Sequence, residues 1–164
     1  MNRFFTSVLL ILSIFALCSC SKTPVPLKKE LPKLPSSFRE QTVISHNNKT
    51  FSAVTDYKAD GTVEFYITDH DSLKGLVFQS KPTGFCIISD NMNLIIDPSD
   101  LPQKNVFLQI ANALRTASKS ISQPTVGQKL LRYDYPESGF HMFVDSYSGN
   151  IVSLIFDNSL SVKF

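Results

Sequence analysis

Residues 62–68 read Thr-Val-Glu-Phe-Tyr-Ile-Thr. Its apolar side chains fall on every second position, which is the period of a strand with one buried face. Just before it, Asp60-Gly61 is a pair suited to the positive backbone angles of a tight hairpin, so a partner strand is predicted near residues 50–58. The stretch therefore predicts an antiparallel sheet packed against a core.

Further short apolar runs on the C-terminal side of this hairpin extend the pattern, each bounded by Gly, Pro, Asn or Asp. They lie at residues 73–80, 84–90, 92–97, 128–135, 140–147, 151–157 and 160–164. Ser148-Gly149-Asn150 turns the last long hairpin. The spacing of these runs is typical of an antiparallel meander.

One segment interrupts the strands with helical spacing. Its apolar residues are Val106, Phe107, Ile110, Ala111 and Leu114. Asp100, followed three positions later by Gln103, has the pattern of a capping box at a helix start. A helix over residues 101–118 is therefore predicted.

About eight or nine strands and one main helix, within residues 41–164, predict an α+β domain. So many strands form a stable sheet only if the sheet curls and one face is covered. We expect a strongly curved antiparallel sheet, or open half-barrel, with the helix on its concave face. That concavity is either a solid core or a pocket for an apolar ligand, and the sequence leaves both open.

The first 19 residues have the pattern of an export signal. A short positive start at Arg3 precedes an apolar run over residues 4–16, which is shorter than the roughly 20 residues that span a membrane. Leu17-Cys18-Ser19-Cys20 then resembles the bacterial lipobox. The resemblance implies that Cys20 carries diacylglycerol and begins the mature chain, and a plain secretory signal is the alternative.

Residues 20–40 are predicted to be a tether between this lipid and the domain. They hold four prolines and no glycine, which favours extended backbone. Such a segment reaches up to roughly 60 Å. It carries five basic and two acidic residues, whereas residues 41–164 carry 10 and 12. The tether charge either attracts anionic lipid headgroups or only keeps the segment solvated, and the acidic domain argues against nucleic acid as a partner.

The order of these features resembles a known group of proteins. The lipobox and basic linker are followed by the Asp-Gly turn, Leu73-Lys-Gly-Leu-Val-Phe, Met92-Asn-Leu-Ile-Ile, Leu101-Pro and a closing hairpin. This order resembles small lipoproteins of clostridial and related Gram-positive bacteria. Through them, residues 42–164 are distantly similar to the LolA/LolB-like lipoprotein carriers, in which a curved sheet wraps helices around a hydrophobic cavity. The carriers have a further N-terminal helix where this chain has its tether.

The resemblance implies a membrane-anchored module on the outer face of the bacterial cytoplasmic membrane. It holds a lipid or other apolar ligand in the concave sheet, and its partners are the membrane, the ligand and an envelope protein. The candidate ligand-binding residues are Phe65, Ile67, Phe78, Phe107, Ile110 and Leu114. The alternative is a protein-interaction or envelope-assembly module with a solid core and no ligand.

No residue pattern indicates catalysis, a cofactor or a metal. His46, His70 and His141 are scattered, and no Cys-x-x-Cys or Gly-x-Ser-x-Gly motif occurs. Asp69-His70-Asp71 is a tight cluster of metal-ligand types, but a polar turn between strands uses the same residues. Cys86 lies in an apolar strand and is predicted to be a small buried hydrophobe. We therefore expect a protein that is not an enzyme.

Overall fold

The computed structural model describes residues 34–70, 72–90, 92–102, 104–119, 123–127 and 129–164. The predicted signal segment and the predicted lipidation site at Cys20 lie outside the described residues, as does the predicted tether up to residue 33. Within the described ranges, no helix has both the length and the apolar character that a membrane span requires.

Strands dominate the described part of the chain. They are β1 (Phe38–His46), β2 (Lys49–Tyr57), β3 (Val63–Ile67), β4 (Val77–Lys81), β5 (Gly84–Ser89), β6 (Met92–Ile96), β7 (Thr125–Val126), β8 (Leu130–Tyr135), β9 (Phe140–Asp145), β10 (Ile151–Phe156) and β11 (Leu160–Lys163). The helix α1 spans Val106–Lys119, and two 3-10 helices span Pro98–Asp100 and Pro136–Ser138.

All these strands form one antiparallel sheet in the order β6-β5-β4-β3-β2-β1-β11-β10-β9-β8-β7. The predicted α+β class, with an antiparallel sheet and one main helix, is confirmed. The predicted number of eight or nine strands is wrong, because the sheet has 11. Sequence reasoning missed β1, whose core side includes Glu40 and Thr42 beside Ile44, and β7, which has only two residues.

The helix begins later than predicted. Leu101 precedes Pro102 and is extended, at φ −80° and ψ 146°, because a residue before proline is kept out of the helical region. The side chain of Asn105 instead accepts a hydrogen bond from the Leu108 amide at 3.0 Å and caps α1. Of the predicted capping box, Asp100 ends a 3-10 helix and Gln103 lies outside the described residues.

The sheet curls around α1. Arg115 of the helix hydrogen bonds to Ser80 in β4, while Ala113, on the same turn, lines a small hollow together with Phe140 in β9. β4 and β9 are six places apart in the sheet, which is about 29 Å in a flat sheet, whereas a helix with its side chains is only about 10–12 Å wide. The helix therefore lies on a concave face, and the sheet stays open because β6 and β7 form its two edges.

The two ends of the domain meet in the middle of the sheet. β1 pairs with β2 on one side and with β11 on the other, so that Ile44 lies opposite Val162. Both side chains are fully buried on the concave side. The last strand therefore joins the half of the sheet before α1 to the half after it.

Candidate functional site

The six side chains predicted to bind an apolar ligand lie together under α1. They are Phe65, Ile67, Phe78, Phe107, Ile110 and Leu114, and each is between 0% and 8% exposed. The rings of Phe78 and Phe107 stack at 4.1 Å, and Phe65 lies 5.1 Å from Phe107. These residues therefore fill the space between helix and sheet with their own side chains.

Arg115 fastens the helix over these rings. Its Nε donates to the carbonyl oxygen of Gly61 at 2.8 Å, and its Nη2 donates to the carbonyl oxygen and Oγ of Ser80 at 2.6 and 2.9 Å. Gly61 has a φ of +82° in the predicted hairpin between β2 and β3. A ligand that entered under α1 would have to break these bonds as well as the ring contacts.

A small hollow remains on the other side of the helix. Gln109 and Ala113 of α1 and Phe140 and Phe156 of the sheet contribute to its lining. Its volume of about 170 Å³ is below the roughly 300–1,000 Å³ of small-molecule sites. It therefore offers little room in the described conformation.

The strand β6, Met92–Ile96, lies at an edge of the sheet, and we call it the open edge. β6 pairs with β5 on one side, and no strand of the described residues covers its other side. Met92, Leu94 and Ile95 are 57%, 47% and 75% exposed. The strand contains no charge and no proline, the usual devices that stop an edge from pairing with another chain. It is therefore open to a further strand.

The open edge continues the core of the domain. On the concave side, Phe78 in β4 lies opposite Ile87 in β5, which lies opposite Leu94 in β6. This apolar row is buried at Phe78, partly buried at Ile87 and half-exposed at Leu94. An added strand at β6 would therefore complete the cover of this row.

A polar cluster occupies the convex face near β3. The Glu64 carboxylate is buried and accepts hydrogen bonds from Lys58 Nζ at 2.6 Å, from Tyr66 OH at 2.6 Å and from Gln79 Nε2 at 2.7 Å. Burial raises the pKa of Glu64, but these three donors outweigh it, so the pKa lies below its ordinary value of 4.5. The three donors therefore stabilise the charged form of this carboxylate.

A second charged group lies on the convex face of β8 and β9. His141 Nδ1 is 2.6 Å from Asp134 Oδ1, and Arg132 Nε donates to the same oxygen at 2.7 Å. Arg132, followed by His141, lowers the pKa of Asp134. These side chains are between 32% and 46% exposed, which is typical of ion pairs on a solvated sheet face.

The other residues noted in the sequence lie apart. The ring of His70 packs edge-on against Phe51, Asp69 accepts a hydrogen bond from the Ser52 amide, and Asp71 lies outside the described residues. In the part of the chain that the structure describes, no three His, Cys, Asp or Glu side chains are placed to hold a metal ion. Cys86 is buried with a free thiol, which confirms its predicted place in the sheet.

Sequence reasoning recognised β6 as a strand but not as an edge. A signal was present, because Leu94, Ile95 and Ile96 are consecutive and so place apolar side chains on both faces. Among the described residues between β6 and α1, no further strand occurs. The last strand of a meander has a neighbour on only one side unless another part of the chain returns to it.

Comparison with known proteins gives a distant structural likeness. No family model and no curated protein match this chain. The structure is similar to the crystal structure of a LolA superfamily protein from Nitrosomonas europaea, with a TM-score of 0.38 and 13% sequence identity. The match covers 78% of this chain and 66% of that one, so this chain spans just under two thirds of that protein.

Proposed function

We propose that this chain is a non-catalytic protein-interaction module, held on the outer face of the bacterial cytoplasmic membrane by lipid on Cys20. The module binds another polypeptide by adding a strand to the open edge, a mode in which main-chain hydrogen bonds supply affinity. The observation that carries the proposal is the exposed, uncharged strand β6, whose apolar side chains continue the core.

The packing of the predicted ligand-binding residues under α1 favours this function over ligand binding between them. Phe65, Phe78 and Phe107 contact one another, and Arg115 holds the helix against the sheet. A buried apolar ligand would have to displace these contacts, whereas a strand at the open edge displaces only water. The solid-core alternative that the sequence left open is thus the one that the geometry supports best.

The membrane anchor is supported by the sequence Leu17-Cys18-Ser19-Cys20 and its likeness to a lipobox. One acyl chain gives marginal membrane binding, whereas the two or three chains of a bacterial lipoprotein hold a protein firmly. The proline-containing tether then sets the domain off from the bilayer.

The anchor is tested by following Cys20→Ala and Cys18→Ala in a bacterial host. We expect Cys20→Ala to lose palmitate labelling and to leave the membrane fraction, because the lipidated thiol is gone. Cys18→Ala is the matched control and should keep both, since Cys18 departs with the signal. Unchanged labelling and retention of Cys20→Ala would remove the anchor from the proposal.

Binding at the open edge is tested with a photo-reactive amino acid in the full-length lipidated protein. A probe at Ile95 should cross-link to a polypeptide in intact cells, because that position lies on the open edge. A probe at Val126, which is 74% exposed on the opposite edge strand, is the control and should give no such product. Absence of any Ile95 product would contradict the proposed function.

A second candidate function is the binding of an apolar ligand, and a hollow of about 430 Å³ near the C-terminal end of α1 favours it. Leu34, Tyr57 and Ala117 contribute to its lining, and its volume lies within the roughly 300–1,000 Å³ of small-molecule sites. Native mass spectrometry of the Cys20→Ala protein with added phospholipid tests this, because that variant carries no covalent lipid. A bound lipid mass supports the candidate, and its absence at saturating phospholipid refutes it.

A further inference from the structure

The open edge is complementary to itself. An antiparallel pair of identical strands has two-fold symmetry, so each residue of one copy has a defined partner in the other. If the axis passes beside Leu94, then Leu94 faces Leu94, Met92 faces Ile96 and Asn93 faces Ile95 of the second copy. All the facing residues are uncharged, so this register brings no like charges together.

We infer that two copies of this chain pair antiparallel through Met92–Ile96 with Leu94 at the two-fold axis, which joins their sheets into one. This inference rests on the proposed function and names the polypeptide that the open edge binds.

The apolar row on the concave side supports a second copy as the partner. In each copy the row runs Phe78, Ile87, Leu94 and then stops at solvent. Two-fold pairing places Leu94 of one copy against Leu94 of the other. The two rows then form a single apolar stripe across both domains, and each half-exposed Leu94 loses its contact with water.

The acidic residues that flank the strand do not oppose this pairing. Asp90 precedes β6 and Asp97 follows it. When Leu94 lies at the two-fold axis, Asp90 of one copy and Asp97 of the other lie at the same end of the paired strands. Neither residue belongs to the paired segment, because Asp90 lies in the turn after β5 and Asp97 caps the following 3-10 helix, where its carboxylate accepts a hydrogen bond from the Ser99 amide. The paired residues Met92–Ile96 therefore carry no acidic side chain.

The opposite edge limits the assembly to two copies. β7 has only two residues, and a very short edge strand is a poor template for pairing. A contact that uses the same strand in both copies is closed and leaves no second β6 free. The expected product is a dimer and not a fibre.

The membrane anchor allows so small a contact to hold two copies together as a dimer. A five-residue strand offers less surface than the roughly 800 Å² per partner of a standard stable interface. Two copies held by lipid in one bilayer meet at a raised effective concentration, which offsets a weak affinity. We therefore expect the dimer in membranes that carry the full-length lipidated protein.

Cysteine cross-linking in those membranes tests the register. Facing residues in an antiparallel pair have Cα atoms about 4.5–5.5 Å apart, within the roughly 4.4–6.8 Å that a disulfide spans. Leu94→Cys should therefore give a disulfide-linked dimer with copper phenanthroline as oxidant. Ile95→Cys is the matched control. The Cα atoms of residue 95 in the two copies would lie about 8 Å apart, which is too far for a disulfide, so this variant should stay monomeric. The parent protein, in which Cys86 is buried, should also stay monomeric.

A charge at the edge tests the contact itself. Ile95→Lys, combined with Leu94→Cys, should reduce the cross-linked dimer at least tenfold, because lysine on an edge strand blocks strand addition. Val126→Lys in the same background is equally exposed on the other edge and should leave the yield unchanged. Loss of the dimer in Val126→Lys but not in Ile95→Lys would overturn the inference.

The remaining outcomes separate this inference from the proposed function. A photo-cross-link from Ile95 at twice the mass of one chain supports the dimer. A cross-link of another mass, with no disulfide dimer of Leu94→Cys, overturns the dimer but leaves the open edge as a binding surface. A disulfide dimer of Ile95→Cys but not of Leu94→Cys overturns the stated register.

Discussion

Two single polar side chains, Arg115 and Glu64, each make several hydrogen bonds that hold separate parts of the domain together. Arg115 joins the helix to the β2–β3 turn and to β4, and Glu64 gathers three donors on the convex face. A buried polar group that loses its partner costs more free energy than a typical hydrogen bond contributes. Changes at these positions should therefore have larger effects on folding than changes at exposed ion pairs.

Arg115→Ala should lower the free energy of unfolding by about 2–3 kcal/mol, because it leaves the carbonyl oxygens of Gly61 and Ser80 without their charged donor. Urea denaturation followed by circular dichroism measures the change. Arg132→Ala removes the same kind of side chain from an exposed ion pair with Asp134 and should change stability little. Equal losses in the two variants would show that Arg115 does not clamp the helix.

Glu64→Gln should destabilise the protein by about 2 kcal/mol at pH 7, because it removes the charge from three hydrogen bonds. The folded-state pKa of Glu64 is lowered, so its stabilisation is present above the ordinary pKa of 4.5 and is lost as pH falls through the lower folded-state value. The difference between parent and variant should therefore shrink by pH 3.

Urea unfolding of both proteins at pH 7 and pH 3 checks this. Glu137→Gln, at an exposed position in the Pro136–Ser138 turn, is the control and should show no pH-dependent difference. A Glu64→Gln effect of the same size at both pH values would mean that the carboxylate charge is not what stabilises the cluster.

At the scale of elements, the start of α1 depends on one side chain. Asn105 accepts the Leu108 amide hydrogen bond, while Leu101 and Pro102 hold the preceding segment extended. The helix is thus set back from the predicted capping residue, Asp100. Its position matters because Phe107, in the first turn, is the ring that contacts Phe65 and Phe78.

Asn105→Ala should cost about 1 kcal/mol of stability, the usual effect of removing a helix cap. Asn105→Asp should restore most of it, because a carboxylate also accepts the amide hydrogen bond. Thermal and urea unfolding measure both variants. Asp100→Ala, at the position that the sequence pattern favours, should have little effect, and a larger loss there than at Asn105 would contradict the observed cap.

At the scale of the whole molecule, the sheet depends on a pairing between its distant ends. β11 is the only strand of the described residues that joins β1 to β10, and Leu160 and Val162 are buried in it. The halves before and after α1 therefore belong to one sheet only when the last strand is in place. Such a sheet should unfold as a unit.

Deleting residues 160–164 should abolish cooperative folding, because it exposes the edges of β1 and β10 and uncovers the middle of the core. Loss of the urea transition and rapid digestion by protease would be the readouts. Ser161→Ala changes the same strand at a side chain on the convex face and should leave the transition nearly unchanged. A sharp transition in the truncated protein would show that the halves fold independently.

Local patterning of the chain predicts the class of fold and most of the strands. Alternation of apolar residues around 62–68 and helical spacing over 106–114 are local properties, set by where each side chain projects from its own backbone. The Gly61 turn was likewise readable, because its positive φ suits glycine. Even β6 was visible as a strand, from Met92-Asn-Leu-Ile-Ile alone.

The tertiary structure shows what these elements do together. It filled the concave face with the six residues predicted to bind a ligand, placed β1 at the centre of the sheet, and left β6 without a second neighbour. A run such as Leu94-Ile95-Ile96 is equally apolar in a covered strand and in an open one. Whether such a run is exposed to solvent depends on which distant strands pair with it. The local spacing of residues carries no information about that pairing.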